Sequence, residues 1–286
     1  MRTLTKLCVC AVLAMVAFAS LGQVERTATG VRLMRDGQIV WNFEIDTEDG
    51  KPYVHPLATP AGVVLTDFRP ADHPWHKGLW FAWKYVNGAN VWETPDKCGH
   101  GGVGRTILKS KDVEIVGLGA KVVLDLTYCD AAGEVLSERR KVEFLPPDKV
   151  GGYEVKSEHE FTALRDVTLE RTPPYRRKDG VWAGGYAGFT LRLASSAAKD
   201  FSVRKDGKDF VAFANPSTGE SVSLYACNQP ATAKFYAWPD RRMLNLSPVY
   251  DGPIILKADE KLRLRYAVRV QGNMETLNSA YLSPQR

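Results

Sequence analysis

The chain has 286 residues, 44% hydrophobic, 25% charged and 10% aromatic, the balance of a globular protein rather than a disordered or fibrous one. Its formal net charge of +5 is small, and the basic residues are dispersed apart from Arg139-Arg140-Lys141 and Arg176-Arg177-Lys178, triplets that read as solvated strand or loop faces. A nucleic-acid footprint is not supported.

The chain opens with Arg2 and Lys6 flanking an apolar run over residues 7–19, followed by small residues. This predicts a secretory signal peptide over residues 1–22, with cleavage near Ala17-Phe18-Ala19 or at Gly22/Gln23. The run is too short to span a membrane comfortably, and no later stretch is apolar enough. Cys8 and Cys10 lie inside the first half of the run rather than just after it, which argues against a lipoprotein. The expectation is a periplasmic or secreted protein with no membrane span in its mature chain. Removing the leader takes away two of the five net positive charges. It leaves Cys98, Cys129 and Cys227, enough for one intramolecular disulfide at most and without the spacing of a zinc ribbon or redox motif.

After the leader, turn signals recur at Asp36-Gly37, Asp49-Gly50, Ala132-Gly133, Asp206-Gly207 and Asp251-Gly252, where positive φ costs little. Between them, residues 121–128, 138–144, 153–161, 221–225 and 262–270 alternate apolar and polar side chains, the mark of strands with one wet face. Only residues 274–281 offer a short amphipathic helix. No linker or internal repeat divides the mature chain, and Pro146-Pro147 and Pro173-Pro174 read as rigid turns. The sequence therefore predicts an all-β fold, a large antiparallel β-sandwich formed as a single domain by residues 23–286.

Chemistry concentrates in residues 51–93, which hold His55, His73 and His76 together with Asp67, Arg69, Asp72, Trp75, Trp80, Trp83 and Trp92. Imidazoles move protons near neutral pH or bind metals, while flat aromatic faces pack on sugar rings whose hydroxyls bond polar neighbours. His73-Pro74-Trp75-His76 could place two imidazoles on one divalent metal, although a His-x-x-His pair alone is a weak metal signal. Glu93 and His100 follow beside glycines, but Gly99-His100-Gly101-Gly102-Val103-Gly104 lacks the setting and ending of a phosphate-binding loop. Alternation places His159 on the apolar face with Tyr153, Val155 and Phe161, as a core histidine or a member of a ligand-lining face. Arg192 could clamp a carboxylate or sugar hydroxyls if its strand faces the site. No Gly-x-Ser-x-Gly elbow or dinucleotide fingerprint is present.

The stretch HPLATPAGVVLTDFRPADHPWHKGLWFAWKYVNGANVWE resembles the signature of the PmoA-like bacterial proteins, a family of undefined activity; residues 182–194 and 262–272 match it more weakly. The resemblance implies an all-β fold, a link to saccharide catabolism, and roles for His55, His73, His76, Gly78, Trp80, Asn87, Trp92, Tyr186 and Arg192. The methane-oxygenase label is not carried over, because the mature chain lacks repeated apolar spans. Trp75 stands where another histidine is common, and Tyr225-Ala226-Cys227-Asn228 replaces a His-Pro-Asn-like segment, which weakens the case for a histidine metal cluster. An analogy of architecture also exists with galactose-mutarotase-type sandwiches.

These readings converge on a carbohydrate-active enzyme that cleaves or modifies a glycoside. His73, His76, Glu93 and His55 are its expected acid–base set. Trp80, Trp83, Asn87, Trp92, His100, His159, Tyr186 and Arg192 are its expected substrate contacts. Hydrolysis or elimination comes first and epimerisation second. A non-catalytic carbohydrate-binding protein would need the tryptophans alone, and a structural protein would bury both sets in its core.

Overall fold

The computed structural model describes residues 22–93, 102–148, 151–178, 180, 182–206 and 210–272. Residues 1–21 of the expected leader, Cys98, His100, Gly207 and the helix expected over residues 274–281 lie outside them. Strand accounts for 59% of the structure and helix for 3%, so the expected all-β antiparallel sandwich is what the chain forms.

Two eight-stranded sheets make up its bulk. The first runs, edge to edge, Gln23–Arg26, Gly30–Arg35, Gln38–Glu44, Tyr53–Leu57, Leu79–Ala82, Gly188–Arg192, Met243–Ser247 and Lys234–Trp238. The second runs Ser202–Asp206, Phe210–Ala214, Ser221–Asn228, Lys261–Gln271, Gly152–Ala163, Gly133–Phe144, Gly119–Asp130 and Arg105–Val116. Every pairing within each sheet is antiparallel.

Period-two alternation decides which side chains meet. Leu79, Phe81, Phe189, Leu191, Leu244 and Leu246 of the first sheet share one core with Val122, Leu124, Phe144, Phe161, Leu264 and Val268 of the second. The other face of the second sheet carries the charged residues the pattern predicts, including Glu160 paired with Lys261 and Arg263, and Glu158 paired with Arg265. The other face of the first sheet is covered instead: Trp80 and Ala82 form a separate apolar cluster with Trp92, packed against Tyr53, Trp75 and Tyr186. That covered face carries the candidate site.

Among the described residues no helix is long and apolar enough to cross a membrane. Cys129 is buried and Cys227 exposed, and both are free thiols.

Candidate functional site

The site is built on the central strands of the first sheet. Residues 67–77 leave that sheet and return to it as a tight excursion. A bridge between Phe68 and Lys77 closes its base. Within it, His73 N–H donates to Pro70 C=O, His76 N–H to His73 C=O and Arg69 N–H to His76 C=O, each at 2.9 Å. These successive turns bring the His73 and His76 rings to a centroid distance of 4.7 Å. Gly78 then re-enters the sheet with φ of 76°, where a Cβ would stand 2.5 Å from the Val54 carbonyl oxygen, so a side chain there would push the excursion off its strand.

Arg192, fully buried on the neighbouring strand, anchors the excursion by donating from Nη2, which lies 2.7 and 2.8 Å from the two carboxylate oxygens of Asp72. Arg241 adds a 3.4 Å contact to the same carboxylate. Burial pushes the Asp72 carboxyl up, but Arg192 and His73 outweigh it and hold the group well below the usual carboxylate range. His73 Nδ1 lies 3.0 Å from Asp72 Oδ2. Burial lowers the His73 pKa against the pull of Asp72, so the imidazole is neutral at neutral pH and able to take a proton. Arg192 thus clamps a carboxylate, as its residue type suggested, but that carboxylate belongs to the protein.

His73 opens onto a cavity of about 190 Å³ whose walls include Trp75, His76, Tyr175, Arg177, Tyr186, Trp238, Arg241 and Met243. Burial, then His73 and Arg192, depress His76 to about 2. With Arg192 Nη1 3.5 Å from its Nδ1, His76 is a neutral wall and hydrogen-bonding group rather than a proton carrier. The same guanidinium opposes a cation between the two imidazoles. Among the described residues no group of three His, Cys, Asp or Glu side chains could hold a metal.

Tyr186 reaches the cavity from a segment shaped by glycines. Gly185 has φ of 80°, and a Cβ there would stand 2.7 Å from the Tyr250 ring. Its neighbour Tyr186 packs on Trp92 and donates to Glu93 Oε1 at 3.2 Å. Burial and then the Glu93 charge push the Tyr186 hydroxyl well up, so it remains a donor. Glu93 also forms an ion pair with the buried Lys84 and accepts from Asn90 Nδ2 at 2.7 Å. It stands behind Tyr186 rather than in the cavity, already satisfied, and the acid–base role expected for it gives way to that of a support.

Other expected members lie apart. His55 sits one strand away, stacked on Phe68 with Nδ1 3.0 Å from Thr66 Oγ1, and it does not line the cavity. Trp83, just past the end of Leu79–Ala82, belongs to the main core, because it stands an odd number of residues from Trp80 and so faces the other way. Trp80 and Trp92 are only 2% and 1% exposed, so they floor the site and show no free ring to a sugar. Asn87, at φ 49°, forms the turn of a hairpin, where its amide oxygen accepts from Thr168 N–H at 2.8 Å and its nitrogen donates to Asp130 at 3.1 Å; it is a turn residue rather than a substrate contact.

His159 points into the sandwich, away from the cavity. Its Nδ1 lies 2.7 Å from Glu138 Oε1 and its Nε2 2.7 Å from Ser157 Oγ. Arg140 donates to both Glu138 oxygens, at 2.6 and 2.9 Å, and Tyr128 donates at 2.5 Å. Burial pushes the Glu138 carboxyl up, yet Arg140 and His159 hold it below the ordinary range. Burial also keeps His159 neutral against the pull of Glu138.

Sequence reading missed Tyr175, Arg177, Trp238 and Arg241 as cavity walls, and Asp72 as the partner of His73. Arg177 sits in a triplet that reads as solvated, and nothing local to Trp238 or Arg241 signals that strand Lys234–Trp238, with the 3-10 turn Pro239–Arg241 after it, flanks Gly188–Arg192 through Met243–Ser247.

Fold and site together define an all-β sandwich protein with a small histidine- and aromatic-walled cavity on the covered face of one sheet. The chain belongs to DUF6807, a family of unknown function whose model matches residues 30–280. This corrects the resemblance drawn from residues 55–93: the matching family is DUF6807, and nothing shows a PmoA-like one. No curated protein matches. Among solved structures the chain is similar to an α-galactosidase from Lactobacillus brevis, at 11% identity and a TM-score of 0.45, over 92% of this chain and 41% of that one. It is also similar to the galactosidase domain of an α-galactosidase-sucrose kinase, at 9% identity and a TM-score of 0.36, over 90% and 40%. A third is a polysaccharide lyase, at 12% identity and a TM-score of 0.34, over 93% and 35%. The chain thus spans about two fifths or less of the length of these three proteins.

Proposed function

We propose that the protein is an extracytoplasmic carbohydrate-active enzyme in which His73 moves a proton to or from a saccharide held in the cavity. The observation that carries this reading is the Asp72/His73 pair, fixed by the buried Arg192 and opening onto a cavity with aromatic walls. A neutral imidazole with a carboxylate beside one nitrogen leaves the other nitrogen to act as base and then acid. Trp75, Tyr175, Tyr186 and Trp238 offer the aromatic surface on which a sugar ring rests. The apolar leader supports action outside the cytoplasm.

Within this reading, proton abstraction in elimination or epimerisation fits better than hydrolysis by two carboxylates. Such hydrolysis needs a carboxyl on each side of the glycosidic bond, whereas Glu93 is engaged by Lys84, Asn90 and Tyr186. The same observation favours a second reading, a carbohydrate-binding protein without turnover.

The test is a turnover screen of the protein against a glycoside panel that includes oxidised sugars. Product is expected, and His73→Ala should lower kcat by about 10²–10⁴-fold, with Trp75→Ala acting mainly on KM. Full turnover by His73→Ala would overturn the assignment, and binding without product would establish the second reading.

A further inference from the structure

Two walls of the cavity come from parts of the chain far apart in sequence. His73, Trp75 and His76 stand on the excursion of residues 67–77, whereas Trp238 and Arg241 stand on strand Lys234–Trp238 and the 3-10 turn Pro239–Arg241. Arg241 lies over the Trp238 ring, 5.6 Å from its centroid, and reaches Asp72 at 3.4 Å.

The residue that ends this turn does not line the cavity. Arg242 has φ of 49° and ψ of 42°, left-handed backbone that glycine adopts freely and a residue with a Cβ adopts at a cost. Its N–H donates to Pro239 C=O and its C=O accepts from Leu193 N–H, each at 2.8 Å, so the turn is tied to the chain next to Arg192. Its guanidinium lies 3.5 Å from the Asp67 carboxylate, and Asp67 N–H donates to Arg192 C=O at 2.9 Å. A strained residue persists where its surroundings over-determine it. Glycine would satisfy the backbone here, and what arginine adds is the contact with the root of the excursion. Consecutive arginines thus engage two aspartates of one excursion, Arg241 with Asp72 and Arg242 with Asp67.

We infer that Arg242 and Asp67 are positioning residues: their ion pair, formed outside the cavity, holds the wall of Trp238 and Arg241 at a fixed distance from His73. The inference rests on reading this cavity as the site, but its effect on His73 is measurable without a substrate. Asp72 and His76 of the excursion, Arg192 beneath it and Arg241 are the groups acting on His73; Tyr175, Arg177 and Tyr186 share the cavity with it. Burial lowers the His73 pKa, Asp72 pulls it back, and Arg192 and then Arg241 lower it again. Among these groups Arg241 is carried by the turn, so a turn that drifts outward leaves His73 titrating at higher pH.

The test is an NMR titration of the His73 ring in the full chain, its signal assigned by its loss in His73→Gln, alongside urea unfolding. Asp67→Asn should raise the His73 midpoint by about 0.5 pH unit, although losing a negative charge would by itself lower it; the rise therefore reports Arg241 moving away. Arg242→Gly should raise it too, with a urea midpoint close to that of the parent, because glycine fits the backbone. Arg242→Lys, which keeps the charge, should leave His73 nearer its original midpoint. A midpoint unchanged or lowered in Asp67→Asn would overturn the inference, as would a rise found only in variants whose urea midpoint collapses. On any glycoside of the panel that is turned over, Asp67→Asn should raise KM about threefold with kcat little changed at pH above the His73 midpoint, and an unchanged KM would count against the pair. Turnover of no glycoside, with the His73 rise observed, would sink the saccharide reading and leave the positioning pair standing.

Discussion

Glu138 and Arg140 face inward between the two sheets, with His159 and Tyr128 closing the group. The ion pair has no water to fall back on, so removing one charge strands the other. Glu138→Gln should therefore cost about 3–5 kcal/mol, read as a lower urea midpoint with an unchanged slope; a loss under 1 kcal/mol would mean that Arg140 finds solvent or another partner. Arg192→Met strands only a carboxylate whose side chain is already 35% exposed, and about 2 kcal/mol is expected in the same assay. These residues mark how far the sequence could be read. Alternation put His159 on the inner face correctly, yet the same alternation in residues 138–144 places Glu138 and Arg140 there too. Only the register of Arg140 opposite His159 reveals that the two strands bury a compensated charge rather than a strand in the wrong phase. His73 and His76 were legible because their turn is local. Their partners Arg192, Arg241 and Tyr186 are distant in sequence and meet them through strand order.

At the scale of elements, the site depends on two excursions from the first sheet, residues 67–77 and the segment leading through Gly185 to Tyr186. Gly185→Ala forces a side chain into left-handed backbone and against the Tyr250 ring. It should destabilise the protein by about 1–2 kcal/mol and lower turnover more than stability alone explains, because Tyr186 shifts off Glu93 and the cavity wall. Unchanged kinetics in a folded Gly185→Ala variant would show that Tyr186 is not needed where it stands. The strands themselves were legible wherever one face met solvent. The short buried strand Leu79–Ala82 was not, since all four residues are buried and burial on both faces erases the alternation that marks a strand. Trp80 and Trp83 therefore looked like one binding surface, when the first packs in the covered cluster and the second in the main core.

For the whole molecule, acidity is the condition that separates folded from unfolded chain. Burial holds His55, His73, His76 and His159 below the ordinary histidine value of 6.5. Below that pH the unfolded chain binds more protons than the folded one, so stability present at higher pH is lost as pH falls. His76 alone, held at about 2, should account for about 2 kcal/mol of lost stability at pH 5. The urea midpoint should drop between about pH 7.5 and pH 5, and a flat profile would show that these imidazoles charge without unfolding. The order of strands governs something else, the moment at which the molecule can first exist. Lys261–Gln271, the last strand in chain order among the described residues, lies in the interior of its sheet, between Ser221–Asn228 and Gly152–Ala163. Until it emerges from the ribosome, both of those neighbours lack a partner along one edge. A nascent chain can assemble hairpins but cannot complete the second sheet until that strand is released.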